Sequence, residues 1–208
     1  SINLSVSKIY DADYQNDLLL IEDFGNDIFS KKLNSSNEKN LYEKAIHLLS
    51  TIHNHSDLKV QNLEKYNFKI LLHESELFIE WYLEKYLKLN LNNSEKNEFQ
   101  NILEKHFNSL TFKQNNLVLR DFHVDNLIYL NDRDGIHQLG LIDYQDALIG
   151  SSVYDFVSLI EDVRHPIKND LKNSLIEMYS KLISVDQNEL KREISFYSIQ
   201  RNLKIIGI

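Results

Sequence analysis

The fold of this protein is decided by two stretches of sequence, LRDFHVDN at residues 119–126 and GLIDYQDA at residues 140–147. A short apolar strand at 117–119 leads into the first stretch, and further strands are predicted at 127–130 and 138–142, with a glycine-containing turn at 131–135 between them. This order places Asp121 and Asn126 on one loop between two strands, and it delivers Asp143 from the end of the next strand.

Asp121, Asn126 and Asp143 are the residue types that a phosphoryl-transfer site needs. Such a site uses a carboxylate to orient and deprotonate the acceptor hydroxyl, and oxygen ligands to hold Mg²⁺ against the nucleotide phosphates. In this interpretation Asp121 is the base, and Asn126 and Asp143 are the metal ligands.

The Asp-x4-Asn spacing is weak evidence by itself, because it also occurs at Asp11/Asn16 and at Asp57/Asn62. The first of these pairs lies in a polar connection between two predicted strands, and the second follows a predicted helix. Only the pair at 121 and 126 lies between a buried strand and a hairpin that brings in a second aspartate. Context therefore favours this pair as the site.

Most of the remaining chain is predicted to be helical. Hydrophobic periodicity indicates helices at 35–55, 69–89, 94–110, about 153–164, 170–183 and 187–208, with capping residues Ser35, Ser94 and Asp186. The first 22 residues differ, because 6–10 and 18–21 are typical of strands. We expect these residues to be the last piece of a β-rich unit.

The composition is that of one globular domain. The chain has 208 residues, of which 42% are hydrophobic, which suffices for one packed core. The formal net charge of -8 argues against a nucleic-acid partner bound by phosphate neutralisation. Cysteine is absent, which excludes disulfides and is compatible with a cytoplasmic location, and no apolar run approaches the roughly 20 residues that span a bilayer. The chain begins without Met and ends in IIGI, so we expect a fragment truncated at both ends.

RDFHVDN at 120–126, together with IDYQDA at 142–147, resembles the aminoglycoside phosphotransferase/choline kinase superfamily. More narrowly, it resembles the bacterial sugar kinases that phosphorylate N-acetylmuramate and N-acetylglucosamine at the anomeric hydroxyl. The supporting pieces are LLIEDFG at 19–25, EWYL at 80–83, YDFVSL at 154–159 and QRNLK at 200–204. One departure is Leu119, since many members have histidine two residues before the catalytic aspartate.

The resemblance implies an α+β, protein-kinase-like fold, mostly a helical C-terminal lobe with a small catalytic β-hairpin. Residues 1–24 would be the end of the N-terminal lobe and the hinge, and residues 25–208 the C-terminal lobe. ATP would be the phosphoryl donor, with Asp121 as base and with Mg²⁺ on Asn126 and Asp143. Asp155 would begin a helix and brace the catalytic loop from behind. The glycine-rich loop and the phosphate-binding lysine would lie before Ser1.

Asp23, Phe24 and Gly25 spell the magnesium motif of protein kinases, but they precede the catalytic loop by about a hundred residues instead of following it. We interpret 18–25 as a strand leading into an interlobe hinge, where backbone groups near Glu22 and Phe24 would bind adenine. The alternative is a strand and turn without a ligand.

The other polar candidates have structural explanations beside functional ones. Arg120 and His123 are expected to support the loop, His123 by hydrogen bonding. Glu80 and Trp81 are candidate substrate contacts, with a core aromatic as the alternative for Trp81. Asp146 is a further substrate candidate, or forms a bond within its loop. His53 and His55 are expected to be solvated or capping rather than metal ligands, and Glu161 and Asp162 to lie on a solvated face.

These patterns favour ATP-dependent phosphorylation of a small hydroxyl compound, with a cell-wall amino sugar as the acceptor implied by the resemblance. Choline, an aminoglycoside and homoserine are alternative acceptors. A catalytically inactive kinase-like binding module and a metal-dependent hydrolase using Asp143 and Asp146 are alternatives from other classes. Composition does not define the oligomeric state.

Overall fold

The computed structural model describes residues 4–55 and 62–208, so Asp57 of the second Asp/Asn pair lies outside the described residues. The strands are β1 Ser5–Val6, β2 Ile9–Asp13, β3 Leu18–Ile21, β4 Asn116–Val118, β5 Leu127–Tyr129, β6 Leu139–Leu141 and β7 Leu148–Gly150. The helices are α1 Phe29–Lys32, α2 Glu38–Asn54, α3 Phe68–Leu77, α4 Asn93–Asn108, α5 Val153–Ile160, α6 Asn169–Leu182 and α7 Gln187–Gly207. A π-helix, Phe78–Tyr86, continues α3, and 3₁₀ turns occur at Val124–Asn126 and Gly135–Gln138.

Helices form most of the core, and small sheets carry the loops of the candidate site. Every residue of α5 is buried, so this short apolar helix lies at the centre of the domain, in contact with α2 and α7. The antiparallel pair β5–β6 is joined by β1, which runs parallel to β6, and β4 pairs antiparallel with β7. This mixture confirms the predicted α+β class.

The N-terminal strands differ slightly from the prediction. A single strand at 6–10 was wrong, because β1 and β2 are separate: β1 joins the β5–β6 sheet, whereas β2 forms a hairpin with β3. Both faces of the hairpin are open to solvent, and the four apolar residues of β3 are 50–63% exposed, namely Leu18, Leu19, Leu20 and Ile21. The hairpin therefore presents an exposed apolar edge.

Two predicted helix caps were each wrong by two residues. Helix α2 follows Asn37 instead of being capped by Ser35. Helix α4 is capped by Asn92, whose side chain accepts from the amide of Glu95 at 3.1 Å, while the Glu95 carboxylate accepts from the Asn92 amide at 2.8 Å. Asp186 does cap α7 as predicted. A polar residue is useful as a cap only where the chain enters the helix from an extended conformation, and Asn92 occupies that position.

The predicted helix at 69–89 is not one continuous α-helix. It changes to a π-helix at Phe78, beside the end of α7. A Cβ atom on Gly207 would lie 2.4 Å from the carbonyl carbon of Leu77 and 2.5 Å from the amide nitrogen of Phe78. Only glycine therefore allows α7 to pack directly on the backbone at this junction. Among the described residues, no helix combines the length and the apolar character needed to cross a bilayer.

Candidate active site

The loop between β4 and β5 begins with a fixed backbone. The amides of Leu119 and Arg120 donate to the two carboxylate oxygens of Asp155, at 2.6 and 2.9 Å. Asp155 lies in the first turn of α5 and is fully buried. Burial raises its pKa to about 7, although the two amide bonds favour the ionised form. The start of the loop is thus attached to the most buried helix of the domain.

Asp121 is held by its backbone, while its carboxylate is left free. Its carbonyl oxygen accepts from the amide of His123 and from the side-chain amide of Asn126, both at 3.0 Å. The carboxylate forms no hydrogen bond or ion pair with any of the described residues, and the residue is partly exposed. A fixed but unpaired carboxylate is what a group needs in order to accept a proton from an incoming hydroxyl.

Asn126 and Asp143 lie side by side at the ends of neighbouring strands. The Asn126 amide nitrogen donates to Asp143 Oδ2 at 3.1 Å, and the Gln145 amide donates to Asp143 Oδ1 at 2.7 Å. Asp143, the second residue after β6, has a left-handed conformation with a φ of 59°. The Ile142 amide donates to the Asn126 carbonyl at 3.3 Å, which joins the two loops.

These oxygen donors suit Mg²⁺. The cation prefers carboxylate and carbonyl oxygens, and it usually takes only one or two protein side chains together with phosphate oxygens and water. Asn126 and Asp143 supply such a pair within hydrogen-bonding distance of each other. Within the described part of the chain, no group of three or more His, Asp or Glu side chains is arranged to hold a metal ion without help from other ligands.

A second layer of contacts around the loop was not predicted. Asp162 was expected on a solvated face, but it is 3% exposed and accepts from the amide of Val124 at 3.2 Å. Arg164 contacts Asp162 at 3.1 Å and Asp125 at 3.4 Å. The expectation was wrong because Asp162 follows the end of α5 at Ile160 and its carboxylate is buried against the Val124 amide. The signal in the sequence that could have predicted this contact was the spacing between Asp155 and Asp162, which is seven residues.

His123 supports the loop through its backbone rather than its ring. Its amide bonds Asp121 and its carbonyl accepts from Asn126 at 3.0 Å, whereas its imidazole Nδ1 is buried without a partner among the described residues. Burial, followed by the nearby charge of Arg164, lowers the pKa of this histidine. The hydrogen bonds of His123 within the loop are therefore formed by its backbone, and Nδ1 takes no part in them.

The segment after β3 packs on the β5–β6 hairpin. The Glu22 amide donates to the Lys8 carbonyl at 2.8 Å, and the Glu22 carboxylate pairs with Arg133 at 2.8 Å. The Phe24 ring lies under Arg133 at 5.2 Å and fills the space that a Cβ on Gly140 would need, at 2.7 Å. Within the described ranges, the Glu22 carbonyl and the Phe24 amide have no backbone partner. Both groups are thus available to a ligand.

Asp23 forms a local turn after β3. Its carboxylate accepts from the Gly25 amide at 2.7 Å, which closes a local turn. This geometry agrees with rejecting the sequence at 23–25 as a protein-kinase magnesium motif.

The substrate candidates are exposed, and no described contact joins them to the loop. Trp81 is 50% exposed, and Lys85 Nζ lies 3.3 Å from its ring centroid and 2.9 Å from the Glu80 carboxylate. The core alternative for Trp81 was therefore wrong. Asp146 is exposed, and its side chain makes no hydrogen bond with the described residues, so the expected alternative of a bond within its loop is not seen.

His53 was expected to be solvated or to cap a helix, and this was wrong. Its Nδ1 lies 2.7 Å from the Tyr179 hydroxyl, and burial lowers its pKa to about 3. His53 is thus a neutral, partly buried residue in the last turn of α2, whereas His55 follows that helix as its C-cap, as expected.

A model of the phosphotransferase enzyme family (APH) matches residues 2–191. Among curated proteins, N-acetylmuramate/N-acetylglucosamine kinase of Caulobacter vibrioides is 25% identical over 85% of this chain and 50% of its own length. The enzyme of the same name from Pseudomonas putida is 28% identical over 100% of this chain and 61% of its own length. The chain thus spans about half to three fifths of these relatives.

Solved structures with a similar fold include aminoglycoside-3'-phosphotransferase of type VIII, with a TM-score of 0.66 and 12% identity over 97% of this chain and 75% of that one. Choline kinase LicA from Streptococcus pneumoniae has a TM-score of 0.65 and 19% identity over 96% of this chain and 63% of that one. These similarities confirm the expected protein-kinase-like fold.

Proposed function

Because this chain belongs to the phosphotransferase enzyme family, we propose that it carries the catalytic loop of an ATP-dependent small-molecule kinase. The observation that carries the proposal is the unpaired Asp121 carboxylate, on a loop whose Asn126 lies 3.1 Å from Asp143. In the same proposal, residues 1–24 are the end of the nucleotide-side lobe and the hinge, and residues 25–208 are the catalytic lobe. A cytoplasmic location, where ATP is available, is part of the same proposal.

In the proposed reaction, Asp121 orients the acceptor hydroxyl and accepts its proton. The acceptor oxygen bonds to the γ-phosphorus of ATP as the bond to the β-phosphate oxygen breaks, and ADP leaves. Mg²⁺, held by Asn126 and Asp143, would neutralise charge on the phosphate oxygens. The chain itself forms no covalent intermediate, so its contribution is positioning and electrostatics. The Glu22 carbonyl and the Phe24 amide would bind the adenine edge.

The acceptor that we propose is the anomeric hydroxyl of N-acetylmuramate or N-acetylglucosamine. This choice is supported by the names of the curated relatives, which are 25–28% identical to this chain. Glu80, Trp81 and Asp146 are the residues that we propose for contact with the sugar. The fold alone would also suit choline, aminoglycoside or homoserine kinases, since structures with these folds include choline kinase and aminoglycoside phosphotransferases.

The test is an acceptor panel with the complete protein that contains this chain. Transfer from ATP in Mg²⁺ buffer is measured with N-acetylmuramate, N-acetylglucosamine, choline, homoserine and an aminoglycoside, and the product is identified by phosphorus NMR. An anomeric sugar phosphate supports the proposal. If phosphate were transferred only to choline, homoserine or the aminoglycoside, that compound would take the place of the amino sugar in the proposal. No transfer at all, with nucleotide still bound, would favour the binding-module alternative.

A further inference from the structure

A buried charged cluster lies behind the candidate base. Its centre is Glu74 of α3, which is 6% exposed. The Glu74 carboxylate contacts the Arg120 guanidinium at 2.6 Å, Lys204 Nζ at 3.0 Å and the Gln200 amide at 3.3 Å, and it accepts from the Tyr66 hydroxyl. Neither the resemblance nor the mechanism above assigns a role to Glu74.

The Glu74 carboxylate is ionised in this cluster. Burial by itself would raise its pKa, but the nearby charge of Lys204 and the bonds from Tyr66, Lys204 and Arg120 outweigh it, so the pKa is lowered. A buried carboxylate is tolerated only when such partners compensate for its lost hydration. Lys204 and Gln200 belong to α7, so two helices keep the carboxylate directed at Arg120.

Arg120 has a backbone conformation that is unusual for its residue type. Its φ is 70°, in the left-handed region that residues with a Cβ atom seldom occupy. Its amide bonds Asp155, its carbonyl accepts from Arg201 at 3.5 Å, and its guanidinium pairs with Glu74 above the Tyr66 ring. The amide, the carbonyl and the side chain of Arg120 are thus all held by contacts with other parts of the chain.

The next residue is Asp121. Because the left-handed turn at Arg120 changes the direction of the chain immediately before Asp121, it decides where the carboxylate lies relative to Asn126 and Asp143. Small displacements of a reacting group have large effects on rate, since an error of about 1 Å costs on the order of a hundredfold.

We propose that Glu74 is a positioning residue, which acts through Arg120 to keep the left-handed turn that places Asp121. This inference rests on the proposed kinase function. The competing explanation is that the cluster only stabilises the packing of α3 against α7. The two explanations make different predictions for variants that lack the Arg120 guanidinium. Only the positioning explanation expects the activity of such variants to depend on a positive φ at residue 120.

The experiment compares Arg120→Gly with Arg120→Ala in the complete protein. Both variants remove the guanidinium, but glycine adopts a positive φ without a steric penalty and alanine does not. We expect kcat of Arg120→Gly to exceed that of Arg120→Ala by about tenfold or more, with acceptor KM values within about threefold of each other. Packing alone predicts similar kcat values for the two variants, because both lose the same guanidinium contacts with Glu74.

Glu74→Gln supplies the second arm. In the natural background it should lower kcat about ten- to a hundredfold with little change in KM, and added to Arg120→Gly it should change kcat less than about twofold. Glu177→Gln is the matched control, because it removes the carboxylate of an exposed pair with Lys181.

An alanine variant as active as the glycine variant, or additive effects of Glu74→Gln and Arg120→Gly, would overturn the inference. A crystal structure of Glu74→Gln in which Arg120 keeps a positive φ would also overturn it, and this readout does not depend on knowing the acceptor. Natural protein that phosphorylates nothing would instead count against the proposed function.

Discussion

The side-chain amide of Asn126 donates to the carboxylate of Asp143 at 3.1 Å, although the two residues are 17 positions apart, with Asn126 before β5 and Asp143 after β6. Pairing of β5 with β6 makes this contact possible, because Leu127 lies opposite Leu141 in the antiparallel register. The residue before Leu127 and the second residue after Leu141 therefore meet at one end of the hairpin.

This contact predicts a changed metal requirement for Asp143→Asn. The variant loses the negative charge proposed to hold Mg²⁺ but keeps the size of the side chain. We expect the Mg²⁺ concentration for half-maximal activity to rise about tenfold or more, with a lower kcat at saturation. A magnesium titration of the natural protein and the variant measures this. An unchanged titration curve would remove Asp143 from the proposed metal site.

Asp155→Asn should cost stability in a pH-dependent way. Asparagine accepts well from only one of the two amides, so we expect the free energy of unfolding to fall by about 1–3 kcal/mol. The folded-state pKa of Asp155 is raised to about 7, above its unfolded value of 3.8. As pH rises, Asp155 therefore ionises in the unfolded chain before it ionises in the folded protein. The free energy of unfolding contributed by Asp155 consequently declines between about pH 4 and pH 7.

Urea unfolding of natural protein and Asp155→Asn across this range tests the sign. The advantage of the natural protein should be largest near pH 4 and smaller near pH 7. A difference that grows with pH would mean that Asp155 has a lowered pKa in the folded protein.

Gly140→Ala should disturb the proposed adenine site. A Cβ atom at this position would lie 2.7 Å from the Phe24 ring, so the ring and its backbone must shift. We expect KM for ATP to rise about three- to tenfold. Adding Gly140→Ala to Phe24→Ala should have little further effect, because the clashing ring is gone. If Gly140→Ala raised KM for ATP equally with and without the Phe24 ring, a clash with that ring could not be the cause.

The exposed β2–β3 hairpin predicts self-association of the 208-residue chain. Four consecutive apolar residues on an open strand form a template for pairing with another chain. Leu19→Lys should lower the sedimenting mass at a fixed concentration, whereas Val163→Lys, at a similarly exposed site of 56%, should not. A monodisperse natural chain that unfolds cooperatively would contradict this expectation.

Local patterns predicted the catalytic hairpin and most helices. The strand and turn sequence around Asp121, Asn126 and Asp143 depends on neighbours along the chain, so it could be recognised without a structure. The π-helix could not, because an apolar pattern with a period of 3.6 does not reveal a change of winding at Phe78.

The supporting contacts of the loop could not be predicted, since they join distant parts of the chain. Glu74 and Arg120 are separated by 46 positions, and Val124 and Asp162 by 38. No periodicity or motif links such pairs. Burial of a charged residue also depends on the packing of whole helices, as Asp162 shows.

The most direct test of the proposed function is the rate of phosphate transfer by Asp121→Asn in the complete protein. With saturating ATP, Mg²⁺ and the acceptor identified by the panel, we expect kcat to fall about 10²- to 10⁴-fold while the affinity for ATP is retained. Turnover within a few-fold of the natural protein would contradict the assignment of Asp121 as the base.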